Sequence, residues 1–211
     1  MPANDARLFD IPLWVDLAAS FVGALSGATA AAHRKYDFIG ATVLATVAGI
    51  GGALLRDGLF IQKGPPVPMQ HEGYLLVCVG AALFTPFLSR LPGRITGLAL
   101  HWTDTIALGL YGMIGTQTAQ LNGLGIGPSI LVGVTNAVGG GVARDLLINE
   151  ESATFKPGNF YALAVILGAV LFIALTRHGM SAAEAGILGA LTIIAVRTLS
   201  LRYNLRTHSV G

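Results

Sequence analysis

Apolar runs of about 20 residues alternate with short polar breaks along the whole chain, and that alternation predicts seven membrane-spanning helices. The spans are expected at about 11–32, 38–60, 73–90, 96–119, 127–148, 159–176 and 181–201. Between them lie HRKYD at 33–37, QKGPPVPMQHE at 62–72, SRLPGR at 89–94, NGLGIGP at 122–128, NEESATFKPG at 149–158 and TRHG at 176–179, where Gly, Pro and charge end helices. Ser181 and Glu184 stand in capping-box spacing and predict the start of the last helix. The runs are apolar on every side, so a water-soluble bundle is a poor alternative. The first ten residues, MPANDARLFD, lack the cationic start of a signal peptide, and the first span is read as retained.

The pattern repeats. GGALLRDGL at 51–59 returns as GGGVARDLL at 139–147, displaced by 88 residues. The same displacement carries Trp14 to Trp102, Asp16 to Asp104, Gly27 to Gly115, Gly51 and Gly52 to Gly139 and Gly140, Arg56 to Arg144, Asp57 to Asp145, Gly80 to Gly168 and Phe84 to Phe172. The chain is therefore expected to be one transmembrane domain, 1–211, made of repeat one at 11–90, repeat two at 96–176 and an added seventh helix at 181–201. Three spans is an odd number, so the second repeat enters the membrane from the opposite side. The expected fold class is an all-α membrane protein with seven transmembrane helices, an inverted 3+3 repeat plus one extra C-terminal helix.

Orientation follows from basic residues in short connections. One side carries Arg7, Lys63 and Arg177; the other carries Arg34, Lys35, Arg90, Arg94, Lys156, Arg202 and Arg206. That asymmetry puts the C-terminus in the cytoplasm and the N-terminus outside.

Composition narrows the function. Hydrophobic residues make up 53% and charged residues 11% of the 211, with mean hydropathy +0.67, against roughly 25% charge in soluble domains. The net charge of +2 sits in loops and ends, not on an aromatic-studded basic face, so nucleic acid is not an expected partner. Cys78 is alone and cannot make an intramolecular disulfide. His33, His71, His101, His178 and His208 are scattered without ligand spacing, so no metal site is expected beyond a transiently bound potassium ion. GIGGAL lacks the third glycine of a dinucleotide fingerprint and no GK[ST] follows, so no cofactor is expected. No catalytic constellation stands out, and the chain does not read as an enzyme.

The candidate site is built from the glycines and the buried charges. Gly51 and Gly52, with Gly139, Gly140 and Gly141, fall past the middle of spans two and five. Two readings compete: a kink whose freed carbonyls meet a passing cation, or a seam where small residues let helices pack tightly. Recurrence in the same register beside Arg-Asp favours the kink. Depth pairs Asp16 with Arg56 and Asp104 with Arg144. Arg56 and Asp57 are adjacent and point in different directions, so they are expected to be poor partners, leaving Asp57 and Asp145 to face the permeation route or a helix end. The alternative makes all six charges structural ion pairs. Thr135 and Asn136 offer polar oxygens to an ion or to a neighbouring helix.

These elements, with the DLAASFVGALSGATAAAHRKYD first span and the DTIALGLYGMIGTQTAQ fourth span, resemble the prokaryotic branch of the trimeric intracellular cation (TRIC) channel family over about residues 10 to 200. The resemblance implies a homotrimer with one pore per protomer, an hourglass path bounded by kinked spans two and five, potassium-favouring monovalent cation passage, and a place in the prokaryotic inner membrane among lipids. It implies kink positions at Gly51, Gly52, Gly139 and Gly140, with Arg56, Asp57, Arg144 and Asp145 as the accompanying charges. The chain lacks the lysine-containing motif of the animal branch, so that branch's regulation does not carry over. Closely similar bacterial sequences are also labelled glycine transporters, which makes a transporter of small neutral amino acids the runner-up and a non-transporting scaffold the third reading.

Overall fold

The computed structural model describes residues 11–152, 154 and 160–203. Arg7, Lys156, Arg206 and His208, and the reading of MPANDARLFD, lie outside the described residues.

Helix α1 (Leu13–Arg34) follows Pro12 and stops at Lys35, whose left-handed backbone turns its N–H back onto the last carbonyls. Helix α2 (Phe38–Leu55) begins where the Asp37 side chain accepts the Gly40 N–H at 2.8 Å, and continues into a π-helical turn at Arg56–Ile61. A short helix α3 (Val67–Gln70) forms inside the proline-rich break. The third expected span comes in two pieces, α4 (Gly73–Ala82) and α5 (Thr85–Leu88). Pro86 explains the interruption, because it has no N–H for the carbonyl four residues back. The fourth is longer than expected: α6 (Gly93–Leu121) runs 29 residues from Pro92. Helices α7 (Ile126–Leu147), α8 (Tyr161–Arg177) and α9 (Ala182–Arg202) follow, α9 opening on the Ser181/Glu184 capping box.

The described residues contain helices and no strands. Four stretches, Leu13–Arg34, Phe38–Ile61, Ile126–Leu147 and Ala182–Arg202, are long and apolar enough to cross a membrane; Gly73–Leu88 and Tyr161–Arg177 are shorter apolar helices. Ile39, Leu76, Leu131 and Ile187 project outward, the arrangement of a protein whose solvent is hydrocarbon. This is an all-helical membrane protein.

Helices α1, α2, α6 and α7 form the centre, with α4 against α1 and α2, α8 against α6 and α7, and α9 against α6 and α8. The centre is tight because glycines face backbone. A Cβ at Gly52 would overlap the Asn136 carbonyl, and a Cβ at Gly140 would overlap the Ala48 carbonyl. The contacts are reciprocal, since Gly52 and Ala48 become Gly140 and Asn136 under the 88-residue shift. Gly51 packs on Gly140, and Gly139 on Gly52 and Leu55.

The expected unwinding at these glycines is therefore corrected. Helix α2 continues through Gly51 and Gly52 to Leu55, and α7 through Gly139, Gly140 and Gly141 to Leu147. Glycine's helix propensity is about 1 kcal/mol poorer than alanine's, and the close crossing of two backbones offsets that cost without any broken hydrogen bond. The departure from α-geometry lies one turn later, at Arg56–Ile61.

Candidate functional site

Two clusters of charge are buried in this bundle, one joining α1, the end of α2 and α4, the other joining α6, α7 and α8 with side chains from α1 and α9. The first joins Asp16 of α1, Arg56 and Asp57 of the π-helical turn, and Tyr74 of α4. Arg56 grips Asp57 with two hydrogen bonds, Nε to Oδ1 at 2.6 Å and Nη2 to Oδ2 at 3.0 Å. The nearest approach of Arg56 to Asp16 is 3.9 Å, while the Tyr74 hydroxyl donates to Asp16 Oδ2 at 2.8 Å. Asp57 Oδ2 also accepts the Val67 N–H at 2.9 Å, holding the start of α3 against the turn.

The second cluster repeats the plan with more bonds. Arg144 Nε donates to Asp145 Oδ1 at 2.8 Å, Nη2 lies 2.7 Å from the same carboxylate, and Nη1 reaches both Asp104 Oδ1 at 3.1 Å and Ser26 Oγ at 2.9 Å. Tyr161 donates to Asp104 Oδ2 at 2.7 Å. Helix α9 adds Arg197, which bonds Asp104 Oδ2 at 3.2 Å and Thr105 Oγ1 at 3.0 Å and lies 4.0 Å above the Tyr161 ring. Ser26 follows Asp16 by ten residues on α1, so the two clusters touch that helix about 15 Å apart.

The structure thus brings Asp16 near Arg56 and Asp104 against Arg144, the pairs read from depth. It corrects the expectation for the adjacent residues: Arg56 with Asp57 and Arg144 with Asp145 are the shortest ion pairs in their clusters. Cβ directions alone mislead here, because the long guanidinium arm folds back along its own helix to reach a neighbouring carboxylate that has few other donors. Asp57 and Asp145 are consequently engaged and buried instead of free.

Between the clusters stands Tyr111 of α6. The Tyr111 ring packs on Gly23, and its hydroxyl donates to the Gly49 carbonyl. Asn136 Nδ2 donates to the Tyr111 carbonyl at 2.7 Å, so Asn136 ties α7 to α6, while its Oδ1 and Ser20 Oγ have no hydrogen-bond partner. Thr135 is half-buried beside it. Gly141 faces the second cluster, where a Cβ would sit 3.6 Å from Asp104 Oδ1.

Beside the first cluster opens a cavity of about 250 Å³, lined among others by Asp16, Arg56, His71, Tyr74, Thr118 and Asn122. Asp16 Oδ1 and Arg56 Nη1 are buried without a partner. Leaving such groups unmatched costs about 1–3 kcal/mol each, more when charged. Among the described residues no group of three or more His, Cys, Asp or Glu is arranged to hold a metal ion.

Sequence reading missed Tyr74, Tyr161, Ser26 and the role of Arg197. Tyr74 and Tyr161 are 87 residues apart, one short of the repeat displacement, so an ungapped shift passes over them. A hydroxyl at the head of an otherwise apolar run is the signal available in the sequence.

Comparison with known proteins places this arrangement. A family model described as "Glycine transporter" matches twice, at residues 13–90 and 101–177. A UPF0126 membrane protein of Deinococcus radiodurans is 34% identical over 90% of this chain and 87% of its own length. The UPF0126 inner membrane protein YadS of Escherichia coli K12 is 27% identical over 92% of this chain and 93% of its own. The TRIC trimeric intracellular cation channel orthologue from Rhodobacter sphaeroides superposes with a TM-score of 0.85 at 30% identity, covering 92% of this chain and 98% of that one. These structural neighbours are channels, not enzymes.

Proposed function

The chain belongs to the TRIC cation channel family and also matches a family model described as a glycine transporter, and from that premise we propose that it is a potassium-favouring monovalent cation channel. It works as a homotrimer with one path in each protomer. The observation that carries this reading is the pair of matching charge clusters within the α1, α2, α6 and α7 bundle, separated by the Tyr111 plug and the α2–α7 crossing. Ionisable residues inside a membrane bundle mark ion routes, and here they recur on both sides of one constriction.

An inverted 3+3 repeat with α9 added is supported by three features. The family model matches two stretches whose starts are 88 residues apart. Gly52 and Gly140 exchange equivalent contacts across the crossing. Each cluster draws on the first, second and third helices of its half. In this arrangement α4 and α5 together make the third of seven spans, and the C-terminus faces the cytoplasm of a prokaryotic inner membrane.

The path runs past Asp57, Gly51, Gly52, Thr135, Asn136, Gly139, Gly140, Gly141 and Asp145. With α2 and α7 helical throughout, the glycines serve it by presenting smooth backbone surfaces that part without unlocking side chains. Asp104–Arg144 holds one of its ends closed by a charge-assisted bond that a cation can replace, and at the other end Asp16 faces Arg56 across 3.9 Å.

Recording from purified protein in planar bilayers, with bi-ionic reversal potentials for potassium against sodium, tests the proposal. Discrete currents reversing in favour of potassium are expected. Saturable glycine exchange without conductance would transfer the chain to the transporter reading, and the absence of both would leave a scaffold.

A further inference from the structure

We propose that the cavity between the α1–α2 connection and α5 is a binding site for an anionic phospholipid of the adjoining leaflet, its phosphate on Lys35 and its chains over the apolar face of α4 and α5. This goes beyond the channel reading and does not rest on it.

The cavity, about 380 Å³, is lined by Lys35, Tyr36, Phe38, Thr85, Pro86 and Ser89. It opens where α1 ends at Lys35 and where Pro86 divides the third span into α4 and α5. The positive charge here is unspent. Among the described residues the Lys35 ammonium has no carboxylate or hydrogen-bond partner, and neither Arg90, next to Ser89, nor Arg94, in the first turn of α6, is paired. The acids on this side are committed elsewhere: Asp37 accepts the Gly40 N–H at 2.8 Å, Glu150 takes Arg34 at 2.5 Å, and Glu151 is engaged as well.

The lysine also stands where the backbone favours glycine. Lys35 is left-handed, with φ 56°, and the residue 88 positions later, just past the end of α6, is Gly123 with φ 79°. A residue with a Cβ is disfavoured in that conformation, so the turn alone does not account for a lysine. The walls are not duplicated either. The same displacement carries Tyr36, Phe38, Thr85 and Pro86 to Leu124, Ile126, Ile173 and Ala174, and α8 runs unbroken over Tyr161–Arg177. Cavity and charge therefore belong to the first half.

The walls choose the ligand. Tyr36, Phe38 and Pro86 supply apolar surface, and the exposed Leu83, Phe84 and Phe87 extend it along the lipid-facing side. A free phosphate ion gains nothing from those surfaces, whereas a phospholipid uses both the cation and the apolar wall. Tyr36 and Lys35 stand at the water end of their spans, where aromatic and basic residues anchor to headgroups. A zwitterionic lipid would bring its own ammonium towards Lys35, Arg90 and Arg94, so a headgroup with net negative charge fits better.

The test is native mass spectrometry of the purified full-length chain in detergent, titrated with dioleoyl phosphatidylglycerol, with dioleoyl phosphatidylcholine and with free glycerol phosphate. Phosphatidylglycerol is expected to fill one site per protomer, about tenfold or more tighter than either other probe. Lys35→Gly should weaken it by about fivefold or more. The same variant should unfold, without lipid, at an unchanged or higher temperature, because glycine suits the left-handed turn. Ser89→Trp fills the cavity from a residue whose hydroxyl bonds only the Pro86 carbonyl. It should abolish the tight site without touching a charge, and so keeps the test valid if Lys35→Gly fails to fold. Equal binding of the two lipids, or unchanged affinity in Lys35→Gly or in Ser89→Trp, overturns the proposal. Glycerol phosphate binding as tightly as phosphatidylglycerol overturns it in favour of a free-phosphate site. A loss in Arg90→Gln or Arg94→Gln as large as that in Lys35→Gly overturns it in favour of diffuse surface charge. Binding is read without current, so none of these outcomes depends on whether the chain conducts.

Discussion

Both charge clusters are built from the same residue types, yet one is closed and the other is strained open. Asp104 accepts from Arg144, Arg197 and Tyr161, and every nitrogen of Arg144 that can donate has a carboxylate or hydroxyl to meet. Asp16 has one hydrogen bond, from Tyr74, and a guanidinium 3.9 Å away. Counting ionised groups, the first cluster holds two carboxylates and one guanidinium, and the second holds two of each. The extra guanidinium is Arg197, and it comes from α9, which has no counterpart in the first half. The same helix covers α8: Phe172 is fully buried and Gly168 packs on Ile193 and Gly189, whereas Phe84, displaced from Phe172 by 88 residues, is half-exposed, and a Cβ at Gly80 would meet nothing within 4 Å. In the proposed repeat, α9 is what makes the two halves unequal: it gives the second cluster a guanidinium, and α8 a cover, that their counterparts lack.

The largest expected effect distinguishes the two aspartates directly. Asp104→Asn leaves the second cluster with an uncompensated buried guanidinium and should destabilise the fold by about 3–5 kcal/mol. Asp16→Asn brings the first cluster to charge balance, leaves the Arg56–Asp57 pair intact, and should cost about 1 kcal/mol, the value of an ordinary hydrogen bond. Thermal unfolding in detergent, followed by intrinsic fluorescence, reads both. Equal losses would mean that the difference in bonding between the clusters has no energetic content.

The crossing between the halves should behave in the opposite way, symmetrically. At Gly52 and at Gly140 an added methyl meets a carbonyl on the other helix, so Gly52→Ala and Gly140→Ala should each cost about 1–3 kcal/mol by overpacking, and by matching amounts. Gly80→Ala, where nothing lies within 4 Å, should be neutral or slightly stabilising through helix propensity. Unequal effects at Gly52 and Gly140 would break the reciprocity while leaving the clusters untouched.

These contrasts mark what a sequence of this kind reveals. Helix positions are legible because hydrocarbon demands continuous apolar runs: α1, α7, α8 and α9, and α2 taken together with its π-helical turn, fall within two residues of their expected ends. The 88-residue displacement brings Asp16, Arg56, Asp104 and Arg144 into view because it repeats their register. Pairing between Arg56 and Asp57 is hidden, since it depends on how far a flexible side chain bends and on which donors burial removes. The unbroken helical course of α2 and α7 through their glycines is hidden too, because glycine permits both unwinding and a close crossing, and only the facing helix decides. Arg197 escapes for a different reason: a residue outside the duplication has no second copy to draw attention to it.

Arg197 also supplies the smallest and most selective perturbation. Replacing it in Arg197→Leu removes the bonds to Asp104 and Thr105 and the contact with the Tyr161 ring, but it also removes an Nη1 that is buried without a partner. The gains and losses nearly offset, and a net destabilisation of about 1 kcal/mol is expected. What changes is the balance of charge: the second cluster now holds two carboxylates and one guanidinium, the composition of the first. If α9 is what immobilises that end, amide exchange at the end of α7 and the start of α8 should accelerate to match that of Arg56–Ile61 and the start of α4, and channel openings should become more frequent. Arg197→Lys separates charge from shape, since an ammonium restores neutrality without the planar fork that reaches Asp104 and Thr105 together and stacks on Tyr161. Full recovery of slow exchange in the lysine variant would show that charge balance alone closes the second end, and partial recovery would assign the remainder to the guanidinium's geometry. Unchanged exchange in Arg197→Leu would return the difference between the two ends to the helices themselves.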